Sequence, residues 1–383
     1  MENFLNQEKN KKPNEYVCES LGLTKKTYDS DLYMIRTPEM LIPSERVDTL
    51  DLDNLVNYFE DHELIENDNI VRPKNSTTFF TTAGVQKTET IINNGGVLDK
   101  MFFICPQPVI RSQFMDKVTQ KSSSSFVNLS AVSVGVGVED YIYNCKKLIG
   151  IVLSNIEDFD KIDISLEHGP DRWGDRKFER SRITVYYLGV ELGECVFIHD
   201  YPVDDVKKVA IVDLGFGIER MYKGLEKGKY MIGFNYFYEE NCDLSEKKIN
   251  EIIDPIRSMV LIAGNGIKGS NSDHGYRLRQ FSKRFVLKKV GIKLDEKKLI
   301  HTALKYWKGW RYKNSTPEDE IVDTIILEND RNYNMLFLDS LKKEQGIELK
   351  ININQNTESF LEQIKFSLKE NQISDIIKII YER

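Results

Sequence analysis

Three stretches of the chain carry side chains in patterns suited to chemistry. In VDLGFGIERMYKG, Val212 to Gly224, a β-branched run passes through a glycine-bearing turn into a helix. Gly215 and Gly217 permit close approach to the backbone, and Glu219 and Arg220 set opposite charges at the helix start. In the second stretch, Phe102 to Val132, Arg111 ends one expected strand, and a polar loop with Lys117 and Lys121 leads to a return strand starting near Phe126. Such a hairpin offers a guanidinium whose planar fork matches a phosphate, and an aromatic face on which a base can stack. The third stretch, Lys268 to Lys313, sets fourteen Lys and Arg against Asp273, Asp295 and Glu296, a net +11 within a chain of net −7. That is the electrostatic footprint of a polyanion contact, or else a solvated helix face. Taken one at a time, the other two features read equally as a strand-to-helix joint, a surface arginine and a core phenylalanine.

These residues need a scaffold, and the hydrophobic periods supply one. Apolar residues from Leu50 to about Glu66 favour one face at helical spacing. Short β-branched or aromatic runs follow at Thr77 to Thr82, Met101 to Cys105, Ile162 to Leu166, Ile183 to Val190, Cys195 to Ile198 and Val209 to Leu214. They do not alternate regularly with helices, so the expectation is an α+β fold with a mostly antiparallel sheet. Beyond Ile218 the pattern is nearly all helical, with helices expected at 246–263, 276–290, 296–310, 318–344 and 358–381. In the second of these, Leu278, Phe281 and Phe285 form an apolar seam, with Arg277, Arg284 and Lys288 on a neighbouring stripe expected to face outward. The polar EENCDLS segment, Glu239 to Ser245, marks a boundary. The expected organisation is a loosely held arm over 1–48, a catalytic domain over 49–240 and a helical, basic domain over 241–383.

Composition narrows the class without naming a function. With 383 residues, 40% of them hydrophobic and 30% charged, the chain has material for two globular domains, which argues against collagen, mucin or extended disorder. The five cysteines are scattered and never form a CxxC pair, so no disulfide framework or local zinc knuckle is expected. No apolar run has the length of a membrane span, and no leader pattern opens the chain, so a cytoplasmic protein without membrane contact is expected.

Taken together and in order, these segments resemble class II aminoacyl-tRNA synthetases, specifically the alanyl-tRNA synthetase family. TTFFTTAGVQ (Thr77 to Gln86), VIRSQ around Arg111, ELGE (Glu191 to Glu194), VDLGFGIERM and DPIRSMVLIAGNGIKGSNSDHGYRLRQFSKRFV (Asp254 to Val286) each match a family segment. The resemblance implies a class II antiparallel sheet flanked by helices and followed by a mainly helical domain. It implies an AMP-forming ligase that binds ATP, Mg²⁺ and an amino acid, makes an aminoacyl adenylate, and transfers the amino acid to the 3′ end of a tRNA. By matching position, Arg111 is expected to bridge the amino acid carboxylate and the α-phosphate, with Lys121 nearby, Phe126 to stack on adenine, and Arg220 to hold the terminal phosphate. Gly215 and Gly217 would line the nucleotide, Asp213 would accept the substrate ammonium, and Trp173 would wall the side-chain pocket or serve as a core aromatic. Glu191 suits Mg²⁺, and Asn271 would face the acceptor stem, with Arg277, Arg284 and Lys288 on RNA phosphates.

The departures from the family pattern matter as much. Lys121 stands where the family has a second arginine, Val127 where it has a glutamate, and Glu194 where it has an asparagine. Glu194 is expected either to join Glu191 on the metal or to read a donor on a substrate larger or more polar than alanine. Residues three apart on a regular strand point to opposite faces, so Glu191 and Glu194 can share a site only across a bulge, which Gly193 allows. The chain ends at Arg383, so no editing domain is expected. None of the five histidines forms an HxxxH pair, and no zinc is expected. Two other acceptors or roles remain open: transfer to a carrier protein or small molecule in specialised metabolism, and a non-catalytic paralogue that binds nucleotide or RNA.

Overall fold

The computed structural model describes residues 12–43, 47, 49–73, 76, 78–93, 100–117, 123–203, 207–225 and 233–368. Its contacts divide the chain into two compact units. The first comprises 1–109, 126–229 and 310–312, and the second 110–125, 230–309 and 313–383. The division falls ahead of the expected boundary at 239–245, and the tip of the Arg111 hairpin groups with the helical unit.

Among the described residues there are nine strands: β1 (Leu23–Lys25), β2 (Leu32–Ile35), β3 (Glu63–Leu64), β4 (Met101–Ile110), β5 (Ser125–Val134), β6 (Ile162–Trp173), β7 (Arg176–Tyr187), β8 (Val190–Pro202) and β9 (Lys208–Gly217). They form one sheet in the order β1-β2-β6-β7-β8-β9-β5-β4-β3. The pairs β1–β2, β2–β6, β6–β7, β7–β8, β8–β9 and β5–β9 are antiparallel, while β3 runs parallel to β4. The protein is therefore α+β with a mixed, mostly antiparallel sheet.

In the first unit the helices are α1 (Pro13–Ser20), α2 (Leu52–Tyr58), α3 (Lys87–Asn93), α4 (Val138–Leu153) and α5 (Ile218–Gly224). Helix α4 covers one face of the sheet because Tyr141, Cys145, Leu148 and Val152, spaced three or four apart, are all fully buried. Tyr141 stacks on Phe197 of β8 with ring centroids 5.5 Å apart. Truncating Leu148 to alanine is expected to cost about 2–5 kcal/mol, read as a lowered denaturant midpoint. Val127, Leu129 and Ala131 of β5 alternate with Asn128, Ser130 and Val132, so the first set meets α4 and the second lies on the other face.

Two expectations are corrected here. The segment from residue 12 is not a loose arm: β1 and β2 extend the sheet edge, and Asn14 donates to the Glu167 carbonyl at 2.7 Å and accepts from the Tyr141 hydroxyl at 3.0 Å. The helix expected to reach Glu66 stops at Tyr58. Asp51 caps its start through the Asn54 N–H at 2.9 Å, but Leu64 pairs with Ile104 of β4, and that pairing outweighs the helical period. The expected strand at Thr77 begins outside the described residues, and Phe80 makes only an isolated bridge to Val71.

The second unit is helical: α6 (Asn235–Glu240), α7 (Glu246–Gly264), α8 (Asp273–Lys289), α9 (Glu296–Gly309), α10 (Glu318–Gln345) and α11 (Thr357–Ser367). Ser245 caps α7 through the Lys248 N–H. From Ile252 to Gly264 every residue of α7 is buried, with α8, α9 and α10 packed against it. Arg257 of α7 is fully buried, its guanidinium 4.6 Å from the Tyr306 ring and 4.7 Å from that of Trp307, whose indole N–H donates to the Arg257 carbonyl at 3.1 Å. Residues 369–383 of the last expected helix lie outside the described residues. Among the described residues no helix is long and apolar enough to cross a membrane.

Candidate functional site

The face of the sheet opposite α4 collects most of the chemistry-bearing residues of the first unit, and strand register explains how. Between β7 and β8 the register shifts: Val185 opposes Gly193, yet Tyr186 opposes Glu191, so Leu192 is an extra residue. Thr184 and Tyr186 share a face, and their partners Glu194 and Glu191 therefore share it too. The bulge depends on Gly193. A Cβ there would lie 2.8 Å from Phe216 Cβ and 3.1 Å from the Gly215 carbonyl oxygen, neither of which can swing away.

From this anchor the rows follow across the sheet. Thr184, Glu194, Gly215 and Ser130 lie in one row, and Glu167, Arg182, Val196, Asp213 and Val132 in the next. Gly217 opposes Asn128, and Phe126 lies two residues further along the same face of β5. Glu191, Glu194, Asp213, Gly215, Gly217 and Phe126 are thus brought to one surface. Phe126 is largely buried, and a Cβ on Gly217 would sit 3.2 Å from its ring. Just beyond, the Glu219 carboxylate accepts from the Val127 N–H at 3.0 Å and so holds the start of β5. Trp173, at the end of β6, packs 5.6 Å from Tyr201 in an apolar cluster that includes Val132 and Val196, the two neighbours of Asp213 in its row.

Asp213 is the electrostatic centre of this face. Its Oδ1 is shielded from solvent and has no hydrogen-bond partner among the described residues. Burial raises its pKa to about 7, the negative charge of Glu194 adds to the rise, and a hydrogen bond from Ser130 opposes it. A shielded carboxylate with a spare lone pair suits an ammonium group.

Glu194 is not free to act as a lone acceptor. Arg182 Nη1 lies 3.1 Å from it, and Nη2 of the same guanidinium lies 2.5 Å from Glu167. That bond from Arg182 holds the Glu167 carboxyl below its usual range. Arg182 therefore competes with a metal for Glu194, in a pair about as exposed as that of Glu191. Glu191 instead pairs with Arg220 at 2.5 Å, both partly exposed, an ion pair of a kind worth about 0–1 kcal/mol and readily exchanged for a ligand. Among the described residues no cluster of three or more His, Cys, Asp or Glu side chains is arranged to hold a metal by itself. A single carboxylate such as Glu191 fits Mg²⁺ only if phosphate oxygens and water complete the shell.

The remaining expected residues belong to the second unit or lie outside the described residues. Arg111 belongs to the second unit, where its N–H donates to the Ser124 carbonyl at 2.8 Å. Lys121 lies outside the described residues. Asn271 accepts from the Arg279 guanidinium. Two members of the stripe expected to face outward on α8 are corrected: Lys288 pairs with Glu251 of α7 at 2.7 Å and Arg284 bears on the buried Asp254, while Arg277 donates to Gln280 of its own helix at 2.6 Å. The apolar seam of α8 brings Arg284 and Lys288 against the acids of α7. The exposed basic surface lies instead on α9, whose exposed side chains Lys297, Lys298, His301, Lys305 and Lys308 include no acid. Lys298 pairs with Glu240 at 2.6 Å.

Arg182, Glu167, Asn128 and Ser130 escaped sequence reasoning. The only available signal was the alternation Arg180, Arg182, Thr184, which sets a face but names no partner. Comparison with protein-family models finds no match, and no curated protein matches the chain.

Proposed function

We propose that the chain activates an amino acid with ATP as an aminoacyl adenylate and transfers it to the 3′ end of a tRNA. The observation that carries this reading is the bulge at Gly193 together with the strand register, which set Glu191, Glu194, the Asp213 carboxylate with its shielded Oδ1, and the Gly215–Gly217 lane on one face. The ordered resemblance of four segments to alanyl-tRNA synthetases supports it. In the first step a carboxylate oxygen of the amino acid attacks the α-phosphorus, the bond to the β-phosphate bridging oxygen breaks, and pyrophosphate leaves. In the second a ribose hydroxyl attacks the carbonyl carbon and AMP leaves. Asp213 would hold the ammonium, the glycine lane and Phe126 the nucleoside, and Arg111 and Arg220 the phosphates. Glu191 would hold Mg²⁺ carried with the triphosphate, which supplies positive charge as the phosphates redistribute theirs.

The test is amino-acid-dependent exchange of labelled pyrophosphate into ATP across the common amino acids, followed by transfer to total tRNA. Exchange without transfer would favour a carrier protein or small molecule as acceptor. ATP binding without exchange would favour the non-catalytic paralogue.

The exposed face of α9 makes the RNA arm specific. Lys297, Lys305 and Lys308 span about 16 Å along one helix face. Replacing all three with alanine is expected to weaken tRNA binding and lower the slope of log K against log salt by about two, with pyrophosphate exchange unchanged. The Arg277→Ala/Arg284→Ala/Lys288→Ala variant should instead lose about 1–3 kcal/mol of stability, because it strands Glu251 and Asp254. Binding and unfolding measurements on both variants check the contrast.

A further inference from the structure

The hairpin tip that carries Arg111 is tied to the helical unit through one buried carboxylate. Asp254 sits on α7 with no exposed surface. Its Oδ1 accepts the Ser124 N–H at 2.7 Å, and its Oδ2 accepts the Ser124 hydroxyl at 2.5 Å. Ser258, one turn along α7, lies 3.0 Å from the Ser124 hydroxyl through its own Oγ, and donates to the Asp254 carbonyl at 3.2 Å. The Ser124 carbonyl in turn accepts the Arg111 N–H at 2.8 Å. A chain of hydrogen bonds therefore runs from the most buried helix of the unit to the backbone of Arg111.

Burying a carboxylate is costly unless it is paired and hydrogen-bonded. Here Arg257 and Arg284 supply positive charge, and both donors of Ser124 converge on the two oxygens. An apolar residue at this point of α7 would pack without that cost, but it would leave the Ser124 N–H and hydroxyl unbound and the base of the hairpin untied.

We infer that Asp254 is a positioning residue that sets Arg111 through the two-point grip on Ser124. The inference rests on Arg111 acting at the α-phosphate, as in the function proposed above. Orientation of a charged group is worth orders of magnitude in rate, and a small displacement forfeits much of it.

The test uses the full chain, with Asp254→Ala, Asp254→Asn and Ser124→Ala, each alone and combined with Arg111→Ala. Two readouts are taken: amide hydrogen exchange at Arg111 and Ser124, and the kinetics of pyrophosphate exchange. Asp254→Ala is expected to lower protection at both amides at least tenfold, with that of Leu278 to Phe285 retained. It should lower kcat for pyrophosphate exchange about 10- to 100-fold with little change in KM for the amino acid. Asp254→Asn should recover most of both effects, because the amide oxygen can accept the Ser124 N–H while the amide nitrogen donates to the Ser124 oxygen. Ser124→Ala keeps one of the two bonds and should fall between. In the Arg111→Ala background none of the three should reduce exchange further, since the group they position is gone.

Unchanged protection at Arg111 in a folded Asp254→Ala or Ser124→Ala protein would overturn the inference, as would losses that multiply with that of Arg111→Ala. If Asp254→Ala does not fold, the asparagine and Ser124→Ala variants carry the same comparison. If the parent exchanges pyrophosphate with no amino acid, the proposed function fails and the positioning role fails with it. The amide data then report only whether the tie itself exists.

Discussion

Replacing Asp213 with asparagine is expected to cost about 10²–10³-fold in kcat/KM for the amino acid while making the protein more stable. Under the proposed function the loss follows from removing the carboxylate that would meet the substrate ammonium in a shielded site, an interaction between opposite charges. The gain follows from the same burial. The folded-state pKa of Asp213 is raised to about 7, above the ordinary carboxylate value. Between the two values the unfolded chain releases a proton that the folded chain keeps, so this group lowers stability as pH rises from about 4 to 7, and the penalty is complete above 7. Asparagine carries no such penalty and should gain about 1–3 kcal/mol at pH 8, measured by denaturant unfolding. The parent's kcat/KM for the amino acid should rise about tenfold per pH unit up to about 7 and then level, whereas the asparagine variant should show no rise over that range.

Glu194 supplies the control. Its charge helps to raise the Asp213 pKa, so Glu194→Gln should move the inflection in the parent's profile to lower pH. It also releases Arg182 from one of its two carboxylates, which should change the order of preference across a panel of amino acids. An inflection that stays near 7 in Glu194→Gln, or an asparagine variant at position 213 with full activity, would sink the assignment of Asp213 to the ammonium.

Arg220→Ala and Arg111→Ala are each expected to slow pyrophosphate exchange by about 10²–10³-fold, the scale seen when a preorganised donor to transition-state charge is removed. Neither effect should reduce to stability. Arg220 makes only a partly exposed pair with Glu191, so its removal should leave unfolding within about 1 kcal/mol of the parent. Arg220→Lys keeps the charge but loses the fork, and should recover only part of the rate. Exchange at the parental rate by either folded alanine variant would remove that arginine from the machinery.

The local pattern determined a good deal by itself. Helices α7 to α10 fall close to where the 3.6-residue period set them, and Ser245 begins α7 because a hydroxyl there satisfies a free helix N–H. The run expected at Val209 to Leu214 lies inside β9, although the strand continues to Gly217 through the glycines expected to form a turn. Strand geometry alone made a bulge the condition for Glu191 and Glu194 to share a face, and the β7–β8 register shifts between Val185 and Tyr186.

Only the tertiary structure decided who meets whom. A period of two tells which face a strand residue takes, but the neighbour strand comes from a sequence-distant register, so the pairing of Arg182 with Glu167 and Glu194 left no local trace. A helical stripe likewise does not say whether solvent or another helix lies against it. Arg284 and Lys288 of α8 meet α7 because Phe281 and Phe285 had to be buried, and the acids Glu251 and Asp254 of α7 received them. The helix expected beyond Tyr58 gave way because Leu64 found a backbone partner on β4, and β1 and β2 joined the sheet because β6 offered β2 an edge. In each case the local preference amounts to tenths of a kcal/mol per residue, while long-range pairing and burial contribute about 1–3 kcal/mol per group, so the distant contacts prevailed.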